Sequence, residues 1–178
     1  AEEQPHNTIE TFEIHVSHNV RDFYHLHNDS TSVVIDCRRN QPVLGYFGNR
    51  LVTVNASMLT QLDRHDAPAS LPIEPAISLT PTIGEGFLGH LGLEVHRSAT
   101  QWSLSPKLSE AHAAEFSLKL TSQCTVSDVK VTHQFTLDPT NSVLCLSVSV
   151  HNLSDQATLF IDNCATTLPL PDHLAELE

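Results

Sequence analysis

The sequence predicts an all-β fold, an antiparallel β-sandwich with one or two short helices, and three observations predict it. Apolar and polar residues alternate with period two through most of the second half, the spacing of a strand with one buried face. The breaks between these runs are short and rich in turn-forming Asn, Asp, Ser and Pro. Helical periodicity is confined to two short segments, and no internal repeat or low-complexity tract interrupts the pattern. A single domain spanning residues 1–178 is expected, because the length suits one ordinary domain and the 40% hydrophobic content suffices for a core.

Taken in chain order, Phe12, Ile14 and Val16 alternate in a first strand-like run. Residues 22–28 read as a second, and 31–37 follow after the turn Asn28-Asp29-Ser30. In residues 43–52, Gly45 and Gly48 mark a bulge or a close backbone approach. Residues 56–66 place Met58, Leu59 and Leu62 on one helical face, with Asn55 or Ser57 as the cap, and the C-terminal segment 171–178 is the other short helix. Residues 67–89 contain Pro68, Pro72, Pro75, Pro81, Gly84, Gly86 and Gly89, which rule out a long regular element and predict a long Pro/Gly-rich loop. The most regular strands are expected at about 115–122, 128–137, 142–151 and 157–165. One face of the third holds Leu144, Leu146, Val148 and Val150, and the other Cys145, Ser147 and Ser149. Turns at Asp138–Asn141 and Asn152–Asp155 are short enough to join the last three strands as a meander.

Nine Lys and Arg against 21 Asp and Glu give a formal charge of −12, spread thinly along the chain. Such a surface repels phosphate backbones and anionic bilayers, so neither nucleic acid nor membrane is an expected partner. The four cysteines, Cys37, Cys124, Cys145 and Cys164, lack metal-site spacing. Cys37, Cys145 and Cys164 sit in or beside apolar runs and are expected as buried free thiols, which points to a reducing, cytoplasmic compartment. Disulfide pairing is the alternative.

The 12 histidines, including His15, His18, His25 and His27, show no spacing that announces a metal site, and are expected to be exposed or half-buried. His133 lies on the apolar face of its strand and reads as a hydrogen-bonded core histidine. No GxSxG elbow or Gly-rich phosphate loop is present, and no carboxylate pair stands out for glycoside hydrolysis. Trp102, beside Ser103-Leu104-Ser105-Pro106, fits a core or interface tryptophan better than a sugar platform. Composition and spacing alone therefore define an acidic β-sandwich without catalytic residues, metal or cofactor.

Three segments carry a family resemblance. FYHLHNDSTSVVIDCRRNQPVLGYFGNRL (23–51) is similar to the opening of glycoside hydrolase family 36 α-galactosidases, in which an F-x-L-x-N run leads into a strand and then a Gly-containing strand. TPTIGEGFLGHLGLEVHRSATQWSLSPKL (80–108) resembles the family's Gly-rich segment and W-S-P stretch. VKVTHQFTLDPTNSVLCLSVSVHNLSDQATLFIDNCATTLPLPDH (129–173) resembles the paired strands that end in LPLPD, shortly before the family's catalytic region.

The resemblance implies an N-terminal β-supersandwich that precedes a catalytic (β/α)8 barrel in a retaining α-galactosidase acting on terminal α-galactosyl residues of raffinose-type sugars. Both catalytic aspartates of that family lie in the barrel, so none is carried over. The implied roles are support of the barrel, homo-oligomer contacts and one wall of the active site. Many members carry Gly-x-Gly-Asp-Phe-Arg in the central loop, where this chain has Gly84-Glu85-Gly86-Phe87-Leu88, without the Asp and the Arg. Glu85 and Phe87 are the candidate substrate-binding residues that remain. A free-standing carbohydrate-binding sandwich and an extracellular adhesion-type sandwich are the alternatives; the poverty of aromatics opposes the first, and the second calls for a disulfide.

Overall fold

The computed structural model describes residues 20–54, 77–87, 89–97, 100–101 and 103–168. These residues form ten strands: β1 (Phe23–His27), β2 (Thr31–Asp36), β3 (Val43–Asn49), β4 (Leu93–Arg97), β5 (Thr100–Gln101), β6 (Lys107–Ala114), β7 (Ser117–Cys124), β8 (Val129–Leu137), β9 (Leu144–Asn152) and β10 (Phe160–Cys164). A four-stranded antiparallel sheet runs β6-β7-β8-β9, and two three-stranded sheets run β1-β2-β3 and β10-β4-β5. The all-β, antiparallel reading is correct. The expected strand at 12–16, both helices, His15, His18 and Trp102 lie outside the described residues.

Both short sheets pack on the inner face of the long one. Tyr24, Leu26, Val33 and Ile35 of the first meet Leu118, Leu120, Phe135 and Leu137 in one cluster. Leu93 and Val95 of the second meet Leu104, Cys124, Val129 and Val131 in another. The period-two alternation of β7 and β8 makes this possible, because every second residue of each strand enters the same core. Truncating a fully buried ring such as Phe135 would cost about 3–5 kcal/mol.

Three expectations need correction. The last three strands do not form one meander: β10 leaves β9, crosses the sandwich and pairs with β4. Local alternation specifies that a segment is a strand but not which edge it joins. Of the cysteines expected to be buried, Cys37 is, whereas Cys145 and Cys164 are exposed; Cys124 is buried as well, and all four are free. Cys145 falls on the polar side of its strand, which faces solvent. His25 and His27 are buried rather than exposed, because Arg50, Leu51 and Val54 fold over the outer face of β1-β2. The described part of the 67–89 segment is a loop with one 3-10 turn, and it is anchored by Leu79, fully buried in the first core cluster.

Other expectations hold. Val34 pairs with Tyr46 and Ile35 with Leu44, so Gly45 is the extra residue of a bulge in β3. His133 is a core residue whose Nε2 lies 3.1 Å from the Thr80 hydroxyl, although its Nδ1 has no partner among the described residues.

Candidate functional site

The loop between β3 and β4 is fixed before it reaches its glycines. Leu79 N–H donates to the Pro42 carbonyl at 2.9 Å and Thr167 N–H to the Leu79 carbonyl at 2.8 Å, while Thr80 reaches His133. Beyond the loop, Gly92 N–H donates to the Pro81 carbonyl at 2.8 Å. These contacts bring the ends of an arch, Pro81 and Gly92, together around residues 82–87 and 89–91.

A 3-10 turn spans Ile83–Glu85 at the top of the arch, and Gly86 ends it at φ 81°, a left-handed conformation that suits glycine. Gly84 N–H donates to the Leu104 carbonyl at 3.1 Å. A Cβ on Gly84 would stand 2.3 Å from that oxygen, so only glycine permits this approach. Phe87 lies over Gly89, where an added Cβ would meet its ring at 2.6 Å.

Glu85 is the anchor of the turn. Its Oε2 accepts from the Ser78 hydroxyl at 2.8 Å and its Oε1 from the Thr82 hydroxyl at 2.9 Å. Its backbone N–H donates to the Thr82 carbonyl at 3.1 Å. Burial raises its carboxyl above the usual range, and the hydrogen bonds from Ser78 and Thr82 pull it partly back.

Glu85 and Phe87 come together in the wall of one groove of about 320 Å³. Val43, Ile77 and Pro81 give it an apolar lining, and Arg39 and Lys107 bring two cations to it. Glu85 is the one acidic residue among its described lining residues, and both its oxygens are engaged inside the loop. Such a groove can hold a polar ligand against an apolar wall, but a carboxylate pair for acid–base hydrolysis is not assembled here. Among the described residues no group of three or more His, Cys, Asp or Glu gathers as metal ligands.

Sequence reasoning singled out Glu85 and Phe87 but missed Ser78, Thr82 and Arg39. A signal for Thr82 was present: Thr82-Ile83-Gly84-Glu85 has the T-x-x-E spacing of a capping box. Ser78 and Arg39 come from elsewhere in the chain, and no local pattern announces them.

Fold and groove together define an antiparallel β-sandwich module that carries a built loop and a side groove. The family model described as the glycosyl hydrolase family 36 N-terminal domain matches residues 40–177, and the chain belongs to that family. No curated protein sequence matches it. Among solved structures, the GH36 α-galactosidase AgaB from Geobacillus stearothermophilus is similar at 16% identity and a TM-score of 0.60, over 86% of this chain and 24% of that one. A doubly substituted AgaA from the same organism, in complex with raffinose, is similar at 15% identity and a TM-score of 0.62, over 81% of this chain and 24% of that one. The α-galactosidase from Lactobacillus brevis is similar at 18% identity and a TM-score of 0.60, over 84% of this chain and 24% of that one. Identities this low establish a shared fold, and the chain spans about a quarter of the length of each structure.

Proposed function

We propose that this domain is the non-catalytic N-terminal sandwich of a retaining α-galactosidase acting on raffinose-type oligosaccharides. It buttresses a catalytic (β/α)8 barrel, contributes to homo-oligomer contacts and presents the Gly84–Gly89 arch as one wall of the substrate site. The observation that carries this reading is the family match across residues 40–177. The α-galactosidase descriptions of the similar structures, one of them holding raffinose, support the sugar class. Free thiols at all four cysteines suit a cytoplasmic setting.

In this reading Glu85 acts chiefly on the loop. It fixes the turn through Ser78 and Thr82, so that the Gly86 backbone and the Phe87 ring are presented in one geometry. Phe87 offers an apolar face to a sugar ring.

The test is kinetic, in the polypeptide that joins this domain to its barrel. Glu85→Ala and Phe87→Ala should each lower kcat/KM for an α-galactoside by more than about 1 kcal/mol equivalent while the fold is retained. Unchanged kinetics in both variants would leave the arch with a structural role only. The purified 178-residue chain should not hydrolyse an aryl α-galactoside; turnover abolished by an Asp or Glu substitution within it would overturn the non-catalytic reading.

A further inference from the structure

The outward face of the β6-β7-β8-β9 sheet takes no part in the Glu85 groove except at Lys107. All three lysines of the chain, Lys107, Lys119 and Lys130, fall on this one sheet. Register places Lys119 between His112 and Gln134, and Lys130 between Gln123 and His151. Neither Lys119 nor Lys130 has an ion-pair partner among the described residues. In a protein of net charge −12, this is a local concentration of cations.

The face is hollowed into a depression of about 480 Å³, and Glu110 is the one carboxylate among its described lining residues. Thr121 and Thr132, neighbours across β7 and β8, sit at its floor and are 4% and 9% exposed although their strand positions point outward. Around them are Gln134, Ser147 and Ser149. Hydroxyl and amide groups both donate and accept hydrogen bonds, whereas ammonium groups only donate and carry charge. A ligand matched to this lining carries many hydroxyls together with negative charge. It must also be thin enough to reach the recessed threonines, which a folded acidic protein surface resting on the lysine tips would not do. Among the described residues no Trp, Tyr or Phe lines the depression to offer the stacking that holds neutral sugars.

We propose that this face binds a short acidic oligosaccharide of the uronic acid type. Its carboxylates pair with Lys119 and Lys130, and its ring hydroxyls reach Thr121, Thr132 and Gln134. The site is separate from the arch and does not depend on the α-galactosidase reading.

The test is a titration of the 178-residue chain with tetragalacturonate, followed by calorimetry and by amide shifts. Saturable binding with shifts confined to β7–β9 is expected. A neutral galacto-oligosaccharide of equal length should bind at least tenfold more weakly, as should poly-L-glutamate of matched charge. The Lys119→Gln/Lys130→Gln variant should lose at least tenfold, and raising salt should weaken the parent. Thr132→Val, which keeps the side-chain shape and removes the recessed hydroxyl, should also bind more weakly and serves as the test if the double variant unfolds. No saturable binding, an unaffected variant, or equal affinity for poly-L-glutamate would overturn the proposal, the last in favour of an acidic peptide.

Discussion

The two short sheets solve the same problem in opposite ways. Each covers half of the long sheet, and each is pinned to it by buried polar groups at opposite ends of β8, Asn28 with Thr31 at one end and Arg97 at the other. At the β1–β2 turn, Asn28 Nδ2 donates to the carbonyls of Asp138 and Asn141 in the β8–β9 turn, at 2.7 and 2.9 Å. Its Oδ1 accepts from the backbone N–H of Ser30 and Thr31. At the end of β4, the Arg97 guanidinium donates to the Ser127 carbonyl in the β7–β8 turn and to Ala157 in the β9–β10 connection, at 3.0 and 2.7 Å. It also donates to Asn152 Oδ1 at 2.6 Å. The outer faces then diverge. The β1-β2-β3 sheet is covered on its outside and buries polar groups there, including His25 and Ser32. The β10-β4-β5 sheet leaves Phe160 and Ile161 about half exposed. One half of the sandwich has closed its outer face over polar atoms and leaves Phe47 of β3 half exposed; the other leaves two adjacent apolar residues, Phe160 and Ile161, in the open.

The largest effect should come from breaking the arginine pin. Arg97→Ala removes a charged donor and leaves buried carbonyls unpaired, and should cost about 3 kcal/mol in urea unfolding. Hydrogen exchange should rise in β4 and β10 and stay slow in β1–β3; a uniform rise would erase the distinction between the halves. Asn28→Ala should cost about 2 kcal/mol and loosen β1–β2 instead. If both variants opened the same strands, the sandwich would be one cooperative unit with no separate pins.

How much of this was legible follows the same division. The strands β7, β8 and β9 were clear because their outer face is polar, so the alternation stands out. Asn28 lay in a recognisable motif, at the end of Tyr24-His25-Leu26-His27-Asn28, though its role as a pin depends on a turn 110 residues away. His25 and His27 were misjudged because an outer face with polar residues looks solvated until residues 50–54 are seen to cover it. Arg97 carried no signal, since its partners are mostly backbone carbonyls of the β7–β8 turn and the β9–β10 connection, both distant in sequence. Glu85 and Phe87 were legible as a loop, while the clamp on Glu85 was half legible through its spacing from Thr82.

Acid should sharpen the comparison by a smaller amount. Burial, with help from the nearby His27 and Arg50, lowers the His25 pKa to about 4, and burial does the same to His133. Both are therefore neutral in the folded protein where the unfolded chain, with histidines near 6.5, already binds protons. Their contribution to stability is complete above pH 6.5 and is lost as pH falls from there toward 4. For His133 the loss between pH 7 and 5 should be on the order of 1 kcal/mol. No buried histidine lies in β4, β5 or β10 among the described residues, so hydrogen exchange at pH 5 should accelerate first in β1–β2 and around Thr80. His25→Gln and His133→Gln should each flatten the dependence of the unfolding midpoint on pH. A slope unchanged in both would assign acid sensitivity to the carboxylates instead.

The smallest expected change in stability is at the open apolar face, and there the informative readout is association. Phe160 stacks on His96, with ring centroids 5.0 Å apart, and His96 Nδ1 lies 2.6 Å from the Asp162 carboxylate. Ile161, opposite Val95 and just ahead of a bulge at Asp162, is also about half exposed on this edge strand. Neither side chain belongs to the buried clusters, so Phe160→Ser with Ile161→Ser should cost less than about 1 kcal/mol. Exposed apolar patches tend to find partners, and the −12 charge opposes contact only over a Debye length of about 8 Å at physiological salt. The parent chain should therefore self-associate at high concentration, more so as salt rises, and the double serine variant should stay monomeric in sedimentation runs. If the parent is monomeric at millimolar concentration in high salt, the exposed half of the sandwich is as self-sufficient as the covered one. Reduced association with unchanged unfolding would show that the two halves differ in what they leave for a neighbour, not in how firmly they are folded.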